Sequence, residues 1–442
     1  MTPKRLRLNV RVAILLLTLW TVSQVVAAIP SMPSELRYLL VKGKVMVGPA
    51  VLLFIALSSR VALRSHPAFL GMLIFSAYTA INLMLRVEPN WPRALLVTAW
   101  AGCFVLIPAL LNTPQRIERF IRMVVPALLA SVLLAVVMGV LSDDYAEVGG
   151  DRGRYYFGMN PNYFAALSAT MAYGGFTSLI LTPRHNRSLS WIALFGGILL
   201  TYLTDCRTQL LMLAVAFTVY GAYSGGFVAR LSQFFLVLAS LAFAAMLAFI
   251  GSPLVSIEQL NEVASGRILV WYSLIKTNLG SGELLPLLWG QSDLKFDTSS
   301  AGWRKLNHMT VDAFDRGGRT EATFTRLAFD NAYLDVFLMT GLIGLLFALW
   351  AWVRWWRHLA AEPNESPFNR RAKGIARGLV AGIIVTGFFS SSWPAMGNVT
   401  VSFGVVLAIA LTTIIRNPQP LPKSVYRDTK PTRSWNPPGR IR

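Results

Sequence analysis

Charge is scarce in this sequence. Of its 442 residues, 14% are Asp, Glu, Lys or Arg, where a soluble domain carries about 25%. Acid is scarcer than base, 21 residues against 41, for a net charge of +20. On a soluble chain that excess would point to nucleic acid; here its distribution gives it another cause. Cysteine is limited to Cys103 and Cys206, too few for a disulfide-built domain, and both sit at apolar depth or at its edge, where they read as small apolar side chains. No Walker sequence, no His-x-x-x-His or Cys-x-x-Cys pair and no Gly-x-Ser-x-Gly occurs. Motif-borne ATP chemistry, a zinc site of ordinary spacing and a serine nucleophile elbow are therefore not expected. Nor does an Asp-x-Asp stand in an exposed loop, so the usual metal–diphosphate clamp is missing. The expectation is no metal, no cofactor and no nucleic acid.

Apolar residues make up 54% of the chain. They are gathered into blocks of about 18 to 22 residues, each long enough to cross a hydrocarbon core of roughly 30 Å as a helix. The pattern predicts an all-α integral membrane protein with about 12 transmembrane helices, placed at 10–29, 40–58, 68–86, 93–111, 123–142, 160–182, 188–204, 208–225, 231–250, 328–353, 376–392 and 399–416. Lys42 and Lys44 make the second the weakest. The first is basic-flanked, long, and without a small-residue cleavage site, so it reads as retained rather than as a leader. An even number of spans puts both termini on one side. That side carries about 25 Lys/Arg against about four acids, and the other about 16 against 17, so the termini are expected in the cytoplasm. The net charge is then largely a topology signal. The chain divides into residues 1–250 (spans one to nine), 251–327 (a large outer loop), 328–416 (spans ten to twelve) and a basic tail, 417–442, suited to anionic membrane lipid. The expected location is a bacterial inner membrane, with the loop in the periplasm.

Chemistry is expected on the outer side. The loop at 251–327 is far longer than ordinary connections, and its segment Leu254–Leu279 has helical apolar spacing. Arg267 lies in it, within Ser265-Gly-Arg-Ile-Leu-Val-Trp271. Arg319 and Arg326 precede the tenth span, Arg152 and Arg154 precede the sixth, and Arg207 stands in the tight turn Thr204-Asp-Cys-Arg-Thr208. Charge at membrane depth is costly and usually faces a partner or a cavity. Guanidinium groups grip phosphate oxygens in pairs and stay charged when partly desolvated, so a lipid-linked diphosphate would suit them. The competing reading is pairing with local acids, such as Arg207 with Asp205, or snorkelling to the interface.

Of four histidines, only His308 falls outside, where an imidazole could act as a base near neutral pH. Asp330 opens the tenth span and Asn331 follows it. An acid there could cap the helix or take a proton from a hydroxyl. Asp335 is an ionisable group within the span. Asn160-Pro-Asn162, at the start of the sixth, could cap or bind sugar. No internal repeat or inverted hydropathy symmetry is visible, which counts against a secondary transporter.

Together these elements resemble the Wzy polymerase and O-antigen ligase (WaaL) superfamily, membrane glycosyltransferases of GT-C type. The resemblance rests on Asn160-Pro-Asn162-Tyr, Arg207-Thr, Ser265-Gly-Arg267 with Trp271, Asp330-Asn331-Ala-Tyr333-Leu334 and Gly341-Leu-Ile-Gly344, in that order within this topology. It implies a donor glycan carried on undecaprenyl diphosphate and an inverting transfer without metal. By that likeness Arg207 and Arg267 hold the diphosphate, with Arg319, Arg326, Arg152 and Arg154 as further candidates. Asn331, Tyr333, Asn160 and Asn162 are candidates for the sugar. Ligases carry a histidine before the Asn of the tenth span; this chain has Asp330, so Asp330 or His308 would be the base. That departure favours a polymerase of O-antigen or exopolysaccharide repeats, with a chain-length regulator as a further partner. The alternative is a ligase that delivers glycan to lipid A-core. A transporter of lipid-linked sugars and a scaffold protein remain as readings from other classes.

Overall fold

Away from water an apolar chain must satisfy its backbone internally, and helices do this residue by residue. The computed structural model describes residues 11–12, 14–16, 18, 66–86, 91–141, 146–147, 154–155, 157, 161–182, 186–223, 225–249, 271, 275, 284–290, 331–361, 367–388 and 399–416. The helices are α1 (Leu70–Met84, entered through a 3-10 turn at Pro67–Phe69), α2 (Trp91–Leu110), α3 (Pro114–Leu141), α4 (Pro161–Leu181), α5 (Arg187–Leu203) and α6 (Arg207–Ala222). They continue with α7 (Gly226–Phe249), α8 (Leu284–Trp289), α9 (Ala332–Ala361), α10 (Pro367–Gly387) and α11 (Val399–Arg416). A two-residue antiparallel pair, β1 (Ala146–Glu147) with β2 (Arg154–Tyr155), lies between α3 and α4. Pro114, Pro161 and Pro367 each open a helix, where the missing N–H costs nothing.

Four helical segments are long and apolar enough to cross a bilayer: Pro67–Met84, Pro114–Leu141, Phe164–Leu181 and Ala332–Ala361. Their neighbours turn apolar side chains outward as well. Ile192, Phe195 and Leu199 project from one side of α5, and Phe227, Phe234 and Leu238 from α7. A perimeter of this kind suits lipid rather than water. Several of the hydroxyls inside are quieted locally. Thr170, Thr201, Thr340, Thr386 and Thr412 each donate to the carbonyl one helical turn back.

Small residues let the helices approach closely, the means by which apolar helices pack in a lipid-like setting. Gly374, Gly378 and Gly382 form one stripe on α10. A Cβ at Gly374 would stand 3.1 Å from the Tyr220 ring, one at Gly378 2.5 Å from the Ala216 carbonyl oxygen, and one at Gly382 3.1 Å from Met212. The stripe therefore runs antiparallel along α6 in steps of one turn. Replacing Gly378 by leucine is expected to force α6 off α10 and destabilise the protein by about 1–3 kcal/mol. Thermal unfolding of the detergent-solubilised protein measures this, and an unchanged midpoint would show the crossing to be loose.

At the far end of α10 the basic residues are structural. The sequence places Arg370, Arg371 and Lys373 in a loop before a span at 376, but the helix already begins at Pro367. Lys373 and Arg377 are buried and donate to Ala360 O (3.4 Å) and Leu359 O (2.9 Å), the last carbonyls of α9. Cations there complete a helix C-terminus and complement its dipole. Arg377 also lies 4.0 Å over the Tyr223 ring.

The tenth predicted span is not one straight helix. α9 is tied to α10 twice, by Arg377 to Leu359 O and by Tyr333 Oη to Ile384 O (2.9 Å). Along a straight helix Tyr333 and Leu359 would be about 39 Å apart, while Arg377 and Ile384 are about 10 Å apart. Side-chain reach does not close that gap, so the chain must fold back. It does so at Gly341, whose φ of 69° and ψ of −171° are not helical. Ala332–Thr340 thus forms a short first limb that returns to α10, and the remainder of α9 runs beside α1.

Candidate functional site

The α10–α6 stripe fixes where Arg207 lies. Continuing its four-residue step beyond Gly382 and Met212 puts Thr386 beside Thr208, so Arg207 stands level with the last turn of α10. Its position is set by the α5–α6 turn, which reverses the chain in Thr204–Cys206 through Asp205 at φ 49°. Asp tolerates that left-handed backbone better than most side chains. Arg207 is exposed at the start of α6.

The same last turn of α10 receives the first limb of α9. Asn331 caps that limb, its Oδ1 accepting from Leu334 N at 3.0 Å. The described helix therefore begins at Ala332, directly after its cap. Tyr333 is 8% exposed; its ring lies 4.4 Å from that of Phe388 and its hydroxyl is given to Ile384 O. Asn331 Oδ1 and the Tyr333 hydroxyl proton are thus engaged in the frame. Asp335, two residues on, is buried in the same turn.

The start of α4 closes the group. α4 runs parallel to α6, with Phe176 packed 4.7 Å from Phe217 and 4.9 Å from Tyr220, and Tyr173 stacked on Phe217. Carried back along both helices, the same offset brings the backbone of Asn162, in the first turn of α4, near the level of Arg207. Phe157, at φ 48°, packs on Phe164 of α4, ring to ring at 5.0 Å, and folds the β1–β2 pair that contains Arg154 back onto this end. Elements far apart in the sequence thus converge: the helix that follows Asn160, the Arg207 turn, and Asn331 with Tyr333. Asp330, His308, Arg267, Arg319, Arg326, Arg152 and Asn160 lie outside the described residues. Of the segment Leu254–Leu279, Trp271 and Ile275 are described, and both are helical. Cys103 is buried and Cys206 half-buried, and no disulfide joins them.

A second cluster adjoins the first limb of α9. The break at Gly341 releases carbonyls that a continuous helix would bond. Arg86 donates to Met339 O and, at 2.8 Å, to Asn82 Oδ1; Tyr78 Oη donates to Thr340 O at 3.0 Å. Asn82 in turn donates to Trp289 O at 2.9 Å, and Trp289 stacks on Tyr78. The short loop helix α8 is thereby seated on the break, and Arg86, Asn82, Tyr78, Leu285 and Trp289 line a cavity of about 400 Å³. In the sequence Arg86 reads as the end of a span and 284–289 as plain loop. The signal for α8 was its apolar run, Leu-Leu-Pro-Leu-Leu-Trp, inside a polar loop.

One end of the bundle therefore combines an exposed arginine at a helix N-terminus, a buried carboxylate and a helix limb that turns inward. Guanidinium and helix dipole at one point favour an anion. No family model matches this chain, and no curated protein matches it.

Proposed function

We propose that the chain is a membrane glycosyltransferase of Wzy type, which joins undecaprenyl-diphosphate-linked oligosaccharide repeats of an O-antigen or exopolysaccharide. In this reading it crosses a bacterial inner membrane about 12 times, with both termini in the cytoplasm and its site on the periplasmic face. The observation that carries it is the convergence of Arg207, the α4 start and the Asn331–Tyr333 limb at one end of the bundle. These are among the elements on which the sequence resemblance rests.

The chemistry follows from the residue types. The acceptor hydroxyl oxygen attacks the donor anomeric carbon, and the bond from that carbon to the diphosphate breaks with its electron pair on the diphosphate. Arg207 and Arg267, with Arg319, Arg326, Arg152 or Arg154 alongside, offset the charge that grows there. Asp330 or His308 receives the hydroxyl proton. In-line attack inverts the anomeric centre, and no nucleotide is consumed.

Deleting the gene is expected to leave lipid A-core capped with single repeats, or to abolish exopolysaccharide. Bare core with accumulated lipid-linked polymer would instead identify the ligase reaction, with lipid A-core as acceptor. The break at Gly341 favours one other reading, since discontinuous helices also mark transporters of polar solutes. Labelled lipid-linked donor given to the purified protein separates the two. New glycosidic bonds without vectorial movement are expected, and movement without bond formation would replace the enzyme by a transporter.

A further inference from the structure

The cavity between α1 and the loop helix α8 joins two kinds of surface. Tyr78, Asn82 and Arg86 line it together with Ile81, Leu85 and Leu285. Arg86 is the one charged residue in that lining, which contains no carboxylate. Its guanidinium is part-buried and set in place by its bonds to Asn82 Oδ1 and Met339 O, so a ligand need not order it. The apolar members of the wall are open to the outside: Leu85 is 81% and Leu285 70% exposed, and Ile81 is exposed too. Two of them continue along α1. Leu70, Ile74, Ala77, Ile81 and Leu85 recur at steps of three and four residues and are all exposed, so they form one stripe. The opposite face of the helix, with Met72, Phe75 and Leu83, is buried. The stripe is about 22 Å long and ends in the cavity wall at the guanidinium. An apolar track that finishes at a fixed cation has the layout of a phosphate-headed lipid.

We propose that this cavity binds an anionic phospholipid of the phosphatidylglycerol type, with its phosphate against Arg86 and an acyl chain along the α1 stripe. The lining offers no carboxylate to the ammonium of a zwitterionic headgroup, so a net negative lipid is the better fit. Leu285 and Trp289 belong to the same wall, and the bound lipid therefore braces α8 on the Gly341 break. This goes beyond the glycosyltransferase reading and does not depend on it.

The test uses the full chain in nanodiscs of phosphatidylcholine, with and without phosphatidylglycerol. Basic residues elsewhere on the protein also attract anionic lipid, so the readout must be local: hydrogen–deuterium exchange in Leu284–Gly290. Phosphatidylglycerol is expected to slow exchange there about threefold or more, as a ligand of the closed form does. Leu285→Glu puts a carboxylate into the cavity wall at a position exposed enough to spare the fold. Within that variant phosphatidylglycerol should no longer slow exchange in this segment. Arg86→Gln keeps an N–H for the Met339 carbonyl but removes the charge, and it should lose the effect as well. If Arg86→Gln fails to fold, Leu285→Glu decides alone. Glycerol 1-phosphate added to phosphatidylcholine nanodiscs should not reproduce the protection. The proposal is overturned if phosphatidylglycerol gives the unmodified protein no protection here, or if protection survives in either folded variant. Equal protection by glycerol 1-phosphate would make this a site for a soluble phosphate and overturn the lipid assignment.

Discussion

Gly341→Ala is expected to unseat the loop helix α8 and to destabilise the protein by about 3 kcal/mol or more. The backbone at φ 69° and ψ −171° is in a region open essentially to glycine, and another residue there costs about 1–3 kcal/mol. Space is lacking too. A Cβ at this position would run into the Leu288 carbonyl and stand 2.5 Å from Trp289 N. Gly290 meets the break from the other side, with φ 83° and its own missing Cβ 2.6 Å from Thr340 N. Two backbones without side chains touch here, so neither can yield by a rotamer change. Hydrogen–deuterium exchange would show the effect as faster exchange in Leu284–Gly290 and Ala332–Thr340, with the α4–α5 hairpin unaffected. Exchange and melting that matched the unmodified protein would mean that the break does not hold the loop.

That contact explains why the sequence yields one part of this molecule readily and another hardly at all. Helices α4, α5 and α6 lie within a few residues of their predicted segments, because hydropathy over a whole turn of bilayer-length helix reports them directly. The convergence of the Arg207 turn and the Asn331 limb needed more, since it depends on a glycine stripe on α10 that carries no charge and no motif. Gly341 was visible as part of Gly341-Leu-Ile-Gly344, but apolar composition continues on both sides of it, so the span read as unbroken. Arg86 is the converse. Its charge is plain in the sequence, yet its work is to bond carbonyls that exist only because Gly341 breaks the helix.

The two limbs of α9 divide the labour at this end of the bundle. The long limb packs on α1, where a Cβ at Gly71 would lie 2.7 Å from the Ala351 Cα, and serves as frame. The short limb carries Tyr333 and Asp335 inward to α10, and it ends on carbonyls held by Arg86 and Tyr78. Positions along the short limb are thereby fixed at both ends, by the Asn331 cap and by that arginine. A rigid limb next to an exposed arginine suits a site that must orient a charged leaving group and a hydroxyl together.

Arg207→Ala tests that reading most severely. Formation of product is expected to fall by about 10²–10³-fold, the loss that follows removal of one donor to a developing negative charge. Folding should be untouched, because Arg207 is exposed and the ion pair among the described residues does not involve it. Arg207→Lys should recover only part of the loss: an ammonium supplies the charge but not the paired, planar donors that match two phosphate oxygens. The comparison with Gly341→Ala is informative, since that variant should lose stability and activity together while Arg207→Ala loses activity alone. Polymer length and amount in cells, read beside the melting temperature of the purified variant, give both quantities. If Arg207→Ala leaves polymer at its normal length and amount, the diphosphate is not held at this turn.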